Sequence, residues 1–354
     1  MDAAPPPNTR PPREAHRIDE SALGAWLERN VEGVDARGIT VRQFKGGQSN
    51  PTYWVGAGAR ALVLRKKPPG KLLPSAHAVE REHRVIRALE GSAVPVPRAL
   101  GLCEDAAVIG TPFFVMEHVP GRIFWDPTLP ELATREGRRA VYREYVRVLA
   151  ELHRVDYRAV GLADYGRVGG YVARQVERWS KQYAASRTGE VRAMEALIAW
   201  LPANVPAADE TTLIHGDWRL DNMIFSEGEA PRALAVLDWE LSTLGHPASD
   251  VAYAALAYHL NMPGRGGLAG VDVGALGVPR EDELVAEYCA LTGRAAIEGW
   301  SFYVAFGMFR LAAIAQGVYA RSVQGNASSD DAGMYGAAVT TLAELACSIA
   351  SVPC

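Results

Sequence analysis

Hydrophobic and polar positions alternate along this chain with two different periods, and the change of period divides it. Ile18 to Asn30 carries Leu23, Trp26 and Leu27 on one helical face, with Asp19 placed to cap the first turn. Beyond it the period falls to two. Ile39–Phe44, Thr52–Val55 and Ala61–Leu64 are short β-branched or aromatic runs separated by Gly46 and Gly47 and by Gly56 and Gly58, a pattern that predicts a meander of antiparallel strands. His77 to Leu89 returns to helical spacing through Val79, Val85, Ile86 and Leu89, and Gly91 stands where a helix C-terminus favours it. The run Ala106 to Val119, centred on Phe113, Phe114, Val115 and Met116, predicts a further strand that Pro120 and Gly121 end.

From there the pattern is mainly helical. Tyr142–His153, Tyr171–Tyr183 and Trp300–Arg321 have helical spacing, and the later strands predicted are a single pair, Thr212–Ile214 with Ala233–Leu237. The expected fold class is therefore α+β. Residues 18–119 form a small lobe with an antiparallel sheet plus helix, and residues 120–354 form a larger, mainly helical lobe. Five prolines among the first thirteen residues predict a flexible tail over residues 1–17.

Composition narrows the partners. A chain of 354 residues, 48% hydrophobic and 22% charged, has ample material for two folded lobes. Its 37 basic and 41 acidic residues leave a formal charge of -4 and no positive field for a phosphate backbone, so nucleic acid is not an expected partner. Cys103, Cys289, Cys347 and Cys354 are scattered without a CxxC pair, which fits a reducing cytoplasm. The apolar stretches Val251–Leu260 and Phe302–Ala315 are short, and Arg310 interrupts the second, so no membrane partner is expected.

The densest chemistry lies between Leu213 and Glu240. A short apolar strand delivers His215, Gly216 and Asp217 to a loop, Asn222 follows five residues later, and the strand Ala233–Leu237 ends in Asp238. Phosphoryl transfer needs these parts: a carboxylate to align the attacking hydroxyl, and oxygen ligands that hold magnesium against phosphates. Asp217 suits the first role, and Asn222 with Asp238 the second. Either aspartate taken singly would pass for a turn cap; the spacing of the whole set is what points to catalysis.

This constellation resembles the catalytic loop and metal-binding aspartate of the aminoglycoside phosphotransferase family, relatives of the protein kinases that also include choline and homoserine kinases. The resemblance runs from about Arg42 to about Tyr319. Phe44 to Tyr53, Leu64 to Gly70 and Asp238 to Glu240 are most similar to the kinase-like domain that some proteins fuse to an acyl-CoA dehydrogenase, and no dehydrogenase part is expected in this chain. The resemblance implies a protein kinase-like two-lobed fold, ATP as co-substrate and Mg2+ as cofactor. The implied loop over the ATP phosphates falls on Gly46, Gly47, Gln48, Ser49 and Asn50. The implied phosphate-binding cation ends the third strand, where alternation from Leu62 and Leu64 favours Arg65 and puts Lys66 on the opposite face; the choice between them stays open. Glu82 matches the carboxylate that positions this cation, with Glu80 as a competitor. Met116, Glu117 and Val119 match the linker whose main chain holds adenine, and Asp250 and His215 match positions that support the catalytic loop.

The implied reaction moves the γ-phosphoryl group of ATP to a hydroxyl of a small acceptor. Arg310 and Arg321 share one face of the Trp300–Arg321 helix with Ile314 and Gly317. Arginines on so apolar a helix suit an anionic, hydroxyacyl-type acceptor, unless acids of neighbouring helices pair with them. The other readings are an aminoglycoside acceptor, a nucleotide-binding protein without catalysis, and a metal-dependent hydrolase using His215, Asp217 and Asp238.

Overall fold

The alternation between Ile39 and Leu64 does build a sheet. The computed structural model describes residues 3–35, 38–45, 50–68, 77–262, 266–323 and 332–354. In chain order the elements are β1 (Thr9–Arg10), α1 (Glu20–Asn30), β2 (Thr40–Phe44), β3 (Thr52–Ala57), β4 (Arg60–Lys66), α2 (Val79–Leu89), β5 (Ala99–Cys103), β6 (Phe113–Glu117), α3 (Arg135–Arg154), α4 (Tyr171–Ser186), α5 (Arg192–Ala203), β7 (Thr212–Ile214), β8 (Met223–Phe225), β9 (Ala233–Val236), β10 (Thr243–Gly245), α6 (Pro247–Ala255), α7 (Val273–Leu276), α8 (Glu281–Thr292), α9 (Trp300–Val323) and α10 (Ala332–Ala350). They divide into two units. One comprises Met1–Ile123, Asn222–Glu227 and Arg232–Ser242, and the other comprises Phe124–Asp221, Gly228–Pro231 and Thr243–Cys354.

The first unit is a six-stranded antiparallel sheet in the order β1-β2-β3-β4-β6-β5. Strand alternation sends Tyr53, Val55, Leu62, Leu64, Phe113 and Val115 into one core with Leu23, Trp26 and Leu27 of α1. The Asp19 carboxylate accepts the Ala22 N–H at 2.9 Å and caps that helix. On α2, Val79, Glu82, Val85, Ile86 and Leu89 form one buried stripe at helical spacing, so a carboxylate is carried inside with the apolar residues.

Four expectations need correction here. Residues 3–17 are not a loose tail: Thr9 and Arg10 pair with Phe44 and Gln43, and the Tyr53 hydroxyl donates to the His16 carbonyl at 2.8 Å. A proline-rich segment is already extended, and a sheet edge is where it can pair. The predicted strand Ala106–Val119 shortens to β6, because Asp105 Oδ1 accepts the Ala107 N–H and Gly110 closes a turn on Ala106; its partner is β5, which lacks a clear strand signature. The boundary does not fall simply at residue 119, since β8 and β9 belong to the first unit through reciprocal Arg122–Phe225 main-chain bonds and the Val236 N–H to Pro95 carbonyl bond. Finally, Thr212–Ile214 and Ala233–Leu237 are not partners: β7 pairs with β10, and β8 pairs with β9.

The second unit is helical, with α9 packed against α4, α5, α6 and α10. The apolar stretch at Phe302–Ala315, expected to be short, lies within a 24-residue helix. Trp300–Val323 and Gly333–Ala350 are both long and apolar enough to cross a membrane by length and composition, and 67% of the most apolar part of the former is buried inside the protein. Burial by neighbouring helices accounts for the composition of α9 without lipid.

Candidate active site

In the first unit, the α2 stripe and the sheet bring charged groups together. Arg65 lies on the β4 face toward α2, with Nη1 at 2.7 Å from Glu82 Oε1 and Nη2 at 3.0 Å from Asp238 Oδ1. Lys66 points to the other face, over the Tyr53 ring at 5.7 Å, and burial lowers its pKa. Glu80 pairs with Lys67 at 2.9 Å. Of the residues left open by the sequence, Arg65 and Glu82 form a buried pair. Burial works against the Arg65 charge, but Glu82, Asp238 and Glu240 outweigh it and hold the guanidinium above its usual range. Burial likewise pushes the Glu82 carboxyl up, to about 8, against the opposing pull of Arg65.

Asp238 follows β9 with φ 64 and ψ 55, a left-handed conformation uncommon for a non-glycine residue and frequent at functional sites. Across the β8–β9 hairpin the Leu237 N–H donates to the Asn222 carbonyl at 2.8 Å, so Asn222 stands beside the residue preceding Asp238. Asn50 is buried and donates from Nδ2 to Glu240 Oε2 at 3.3 Å. Gly46, Gly47, Gln48 and Ser49 lie outside the described residues. Met116 is buried opposite Val63, and Val119 is half-buried. The exposed Glu117 gives its N–H to the Arg98 carbonyl at 2.9 Å. Among the described residues no three His, Cys, Asp or Glu side chains form a metal cage. An amide and a carboxylate are oxygen donors that magnesium takes when phosphate oxygens and water complete its shell, and Asn222 and Asp238 have that chemistry.

In the second unit the strand β7 runs into the loop that carries Asp217. Asp250 on α6 accepts the His215 N–H at 2.6 Å and the Gly216 N–H at 2.8 Å, while His215 Nδ1 accepts the Asp217 N–H at 3.2 Å. Gly216 has φ +85, which an L side chain rarely adopts. Burial would push the Asp250 carboxyl up, but its bond to His153, the nearby His215 ring and the His215 N–H outweigh this and hold it below 3.8. Its stabilisation is therefore complete above 3.8 and is lost as pH falls through the lower folded value. Asp250→Ala is expected to cost about 2–3 kcal/mol in urea unfolding, since two buried N–H groups lose their acceptor; an unchanged urea midpoint would contradict this.

The Asp217 carboxylate is held by Arg219 Nη2 at 3.3 Å and by the Tyr253 hydroxyl. Arg219 also reaches Asp221 at 3.4 Å. A cavity of about 130 Å³ adjoins these groups, lined in part by Trp125, Tyr142, Tyr145, Trp218, Tyr253 and Tyr258. Tyr142, Tyr145 and Tyr258 donate their hydroxyls to the carbonyls of Pro127, Trp218 and Pro279, so their rings rather than their hydroxyls are left for a ligand. Arg219 and Asp221, already paired, are the charged side chains of its lining.

Arg310 does not await an acceptor. Its Nη2 donates to the Gly216 carbonyl at 3.0 Å, and Arg321, exposed and about 16 Å further along α9, does not converge with it. Sequence reasoning missed Tyr253, Arg219 and the aromatic cavity. Tyr253 carried a usable signal, since it follows Asp250 by three residues and so shares its face of α6.

A sheet with a buried Arg–Glu pair, an Asn–Asp hairpin and a His-Gly-Asp loop braced by a buried aspartate define a phosphotransferase of the protein kinase-like fold. The chain belongs to the phosphotransferase enzyme family, whose model matches residues 40–291. It is 50% identical over 343 residues to acyl-CoA dehydrogenase family member 10 of Mus musculus, a match covering 96% of this chain and 32% of that protein. A proposed aminoglycoside phosphotransferase from Ralstonia eutropha superposes with a TM-score of 0.86 at 46% identity, covering 95% of this chain and 99% of that one. A thermostable mutant of another aminoglycoside phosphotransferase, in ternary complex with ADP and hygromycin B, superposes with a TM-score of 0.57 over 92% of this chain and 98% of that one; at 16% identity it shows the fold alone. The chain spans less than half the length of the curated relatives it matches.

Proposed function

We propose that the protein transfers the γ-phosphoryl group of ATP to a hydroxyl of a small acceptor with an apolar body, of the hydroxyacyl kind. The cavity carries this reading. Its aromatic rings and its single Arg–Asp pair suit a hydrocarbon chain and offer little to a polycationic aminoglycoside, which wants several unpaired carboxylates. The name of the mouse relative, an acyl-CoA dehydrogenase family member, supports an acyl compound as the acceptor. Arg310 no longer argues for an anionic group; Arg219 is the cation beside the cavity.

In this mechanism Asp217 accepts a hydrogen bond from the acceptor hydroxyl and aims its oxygen at the phosphorus. Arg65, positioned by Glu82, binds nucleotide phosphate. Adenine takes the Glu117 carbonyl and the Val119 N–H, because the Glu117 N–H is already bonded within the sheet. Asn222 and Asp238 would hold magnesium, which neutralises charge on the phosphates. Intact candidates at all three positions favour catalysis over a silent nucleotide-binding role.

Hydroxyacyl-CoAs and hydroxy fatty acids are expected to stimulate ADP release from Mg-ATP, with kcat/KM rising about fourfold per added methylene until the cavity is full. Stimulation by aminoglycosides alone, or no dependence on chain length, would refute the reading.

A further inference from the structure

We propose that Arg310 and Tyr253 are positioning residues that fix Asp217 for transfer. The inference rests on the reading that Asp217 aligns the acceptor hydroxyl. Arg310 lies on α9, and its hydrogen bond goes to a main-chain oxygen and not to a carboxylate. Its guanidinium lies 5.1 Å from the Tyr253 ring centre and 5.6 Å from that of Trp179, and its Nε is buried without a hydrogen-bond partner among the described residues. Arg310 is half-buried, and a buried guanidinium N–H without a partner is costly. Here its hydrogen bond is spent on one oxygen, the carbonyl of Gly216, the residue before Asp217.

Gly216 is held through its other peptide as well. The Gly216 N–H donates to Asp250 Oδ1 at 2.8 Å, so the unusual φ of +85 is fixed from both ends. The Tyr253 hydroxyl then donates to the Asp217 carboxylate, while its ring lies against Arg310. Main chain and side chain of the loop are therefore set by two helices: α6 supplies Asp250 and Tyr253, and α9 supplies Arg310. Tyr253 also lines the aromatic cavity, which ties the orientation of Asp217 to the wall an acceptor would touch.

The test uses the full chain, Mg-ATP and a hydroxydecanoyl-CoA, with ADP release as the kinetic readout and crystal structures of the variants as a readout that needs no acceptor. Tyr253→Phe keeps the ring and removes one hydrogen bond; it is expected to lower kcat about ten- to hundredfold with KM for ATP unchanged. Arg310→Ala is expected to match that loss, and Arg310→Lys, which keeps a cation over the rings, to recover part of it. In the variant structures the Asp217 carboxylate should leave its parental rotamer. Parental kcat in Tyr253→Phe beside an inactive Asp217→Asn, or an unmoved Asp217 in both Tyr253→Phe and Arg310→Ala, would overturn the proposal. An active Asp217→Asn would instead overturn the reading beneath it.

Discussion

Asp217→Asn is expected to reduce kcat about 10²- to 10⁴-fold, the range lost when a positioned carboxylate is removed from a proton-transfer or alignment role. The substitution is nearly isosteric, and the loop does not depend on the carboxylate for its shape. His215 Nδ1 holds the Asp217 N–H, Asp250 holds the two preceding N–H groups, and Arg219 keeps Asp221 as a counter-charge. Thermal stability and KM for ATP should therefore stay near parental values while turnover falls. Measuring ADP release with and without a hydroxyacyl-CoA separates the effects: retention of more than a tenth of parental kcat would exclude Asp217 from the reaction.

Arg65→Ala should act on both stability and turnover. It leaves the Glu82 carboxyl, 1% exposed, without its cation, and breaking one half of a buried pair costs about 3–5 kcal/mol. Lys66 cannot substitute, because it lies on the other face of β4 over Tyr53. Replacing both partners, Arg65→Met with Glu82→Leu, removes the stranded polar group and is expected to restore most of the lost stability while leaving activity absent. Urea midpoints and ADP release on the parental protein, Arg65→Ala and the double variant test the idea. If the double variant were as unstable as Arg65→Ala, the pair would not be the source of the loss.

Much of this site was legible before any coordinates because strong periodicity governs it. Alternation from Leu62 and Leu64 put Arg65 and Lys66 on opposite faces of β4 but left the choice between them open, and Glu80 stayed a competitor of Glu82, although Glu82 lies on the stripe of Val79, Val85, Ile86 and Leu89. What escaped was short or uniform. The strand β5, Ala-Leu-Gly-Leu-Cys, lacks β-branched residues, and α10 is so rich in alanine and small residues that it presents no polar face to count. Three-residue strands such as β7 carry no period, so their partners are chosen by the path of the chain; β10 was invisible for that reason. The role of Arg310 was misjudged because sequence shows the charge on a helix but not the carbonyl oxygen it reaches.

The discontinuity of the first unit sets a timetable for its synthesis. Asp238, which completes the group around Arg65, follows Glu82 by 156 residues. At roughly 5–20 residues per second, translation takes about 8–30 s to cover that distance. During that interval a nascent chain has its sheet strands available but lacks the β8–β9 hairpin, so the Pro95 carbonyl and the Arg122 main chain wait for partners. The segment 124–221 emerges in the meantime, and the unit that begins first on the ribosome is finished only after much of the other has been made.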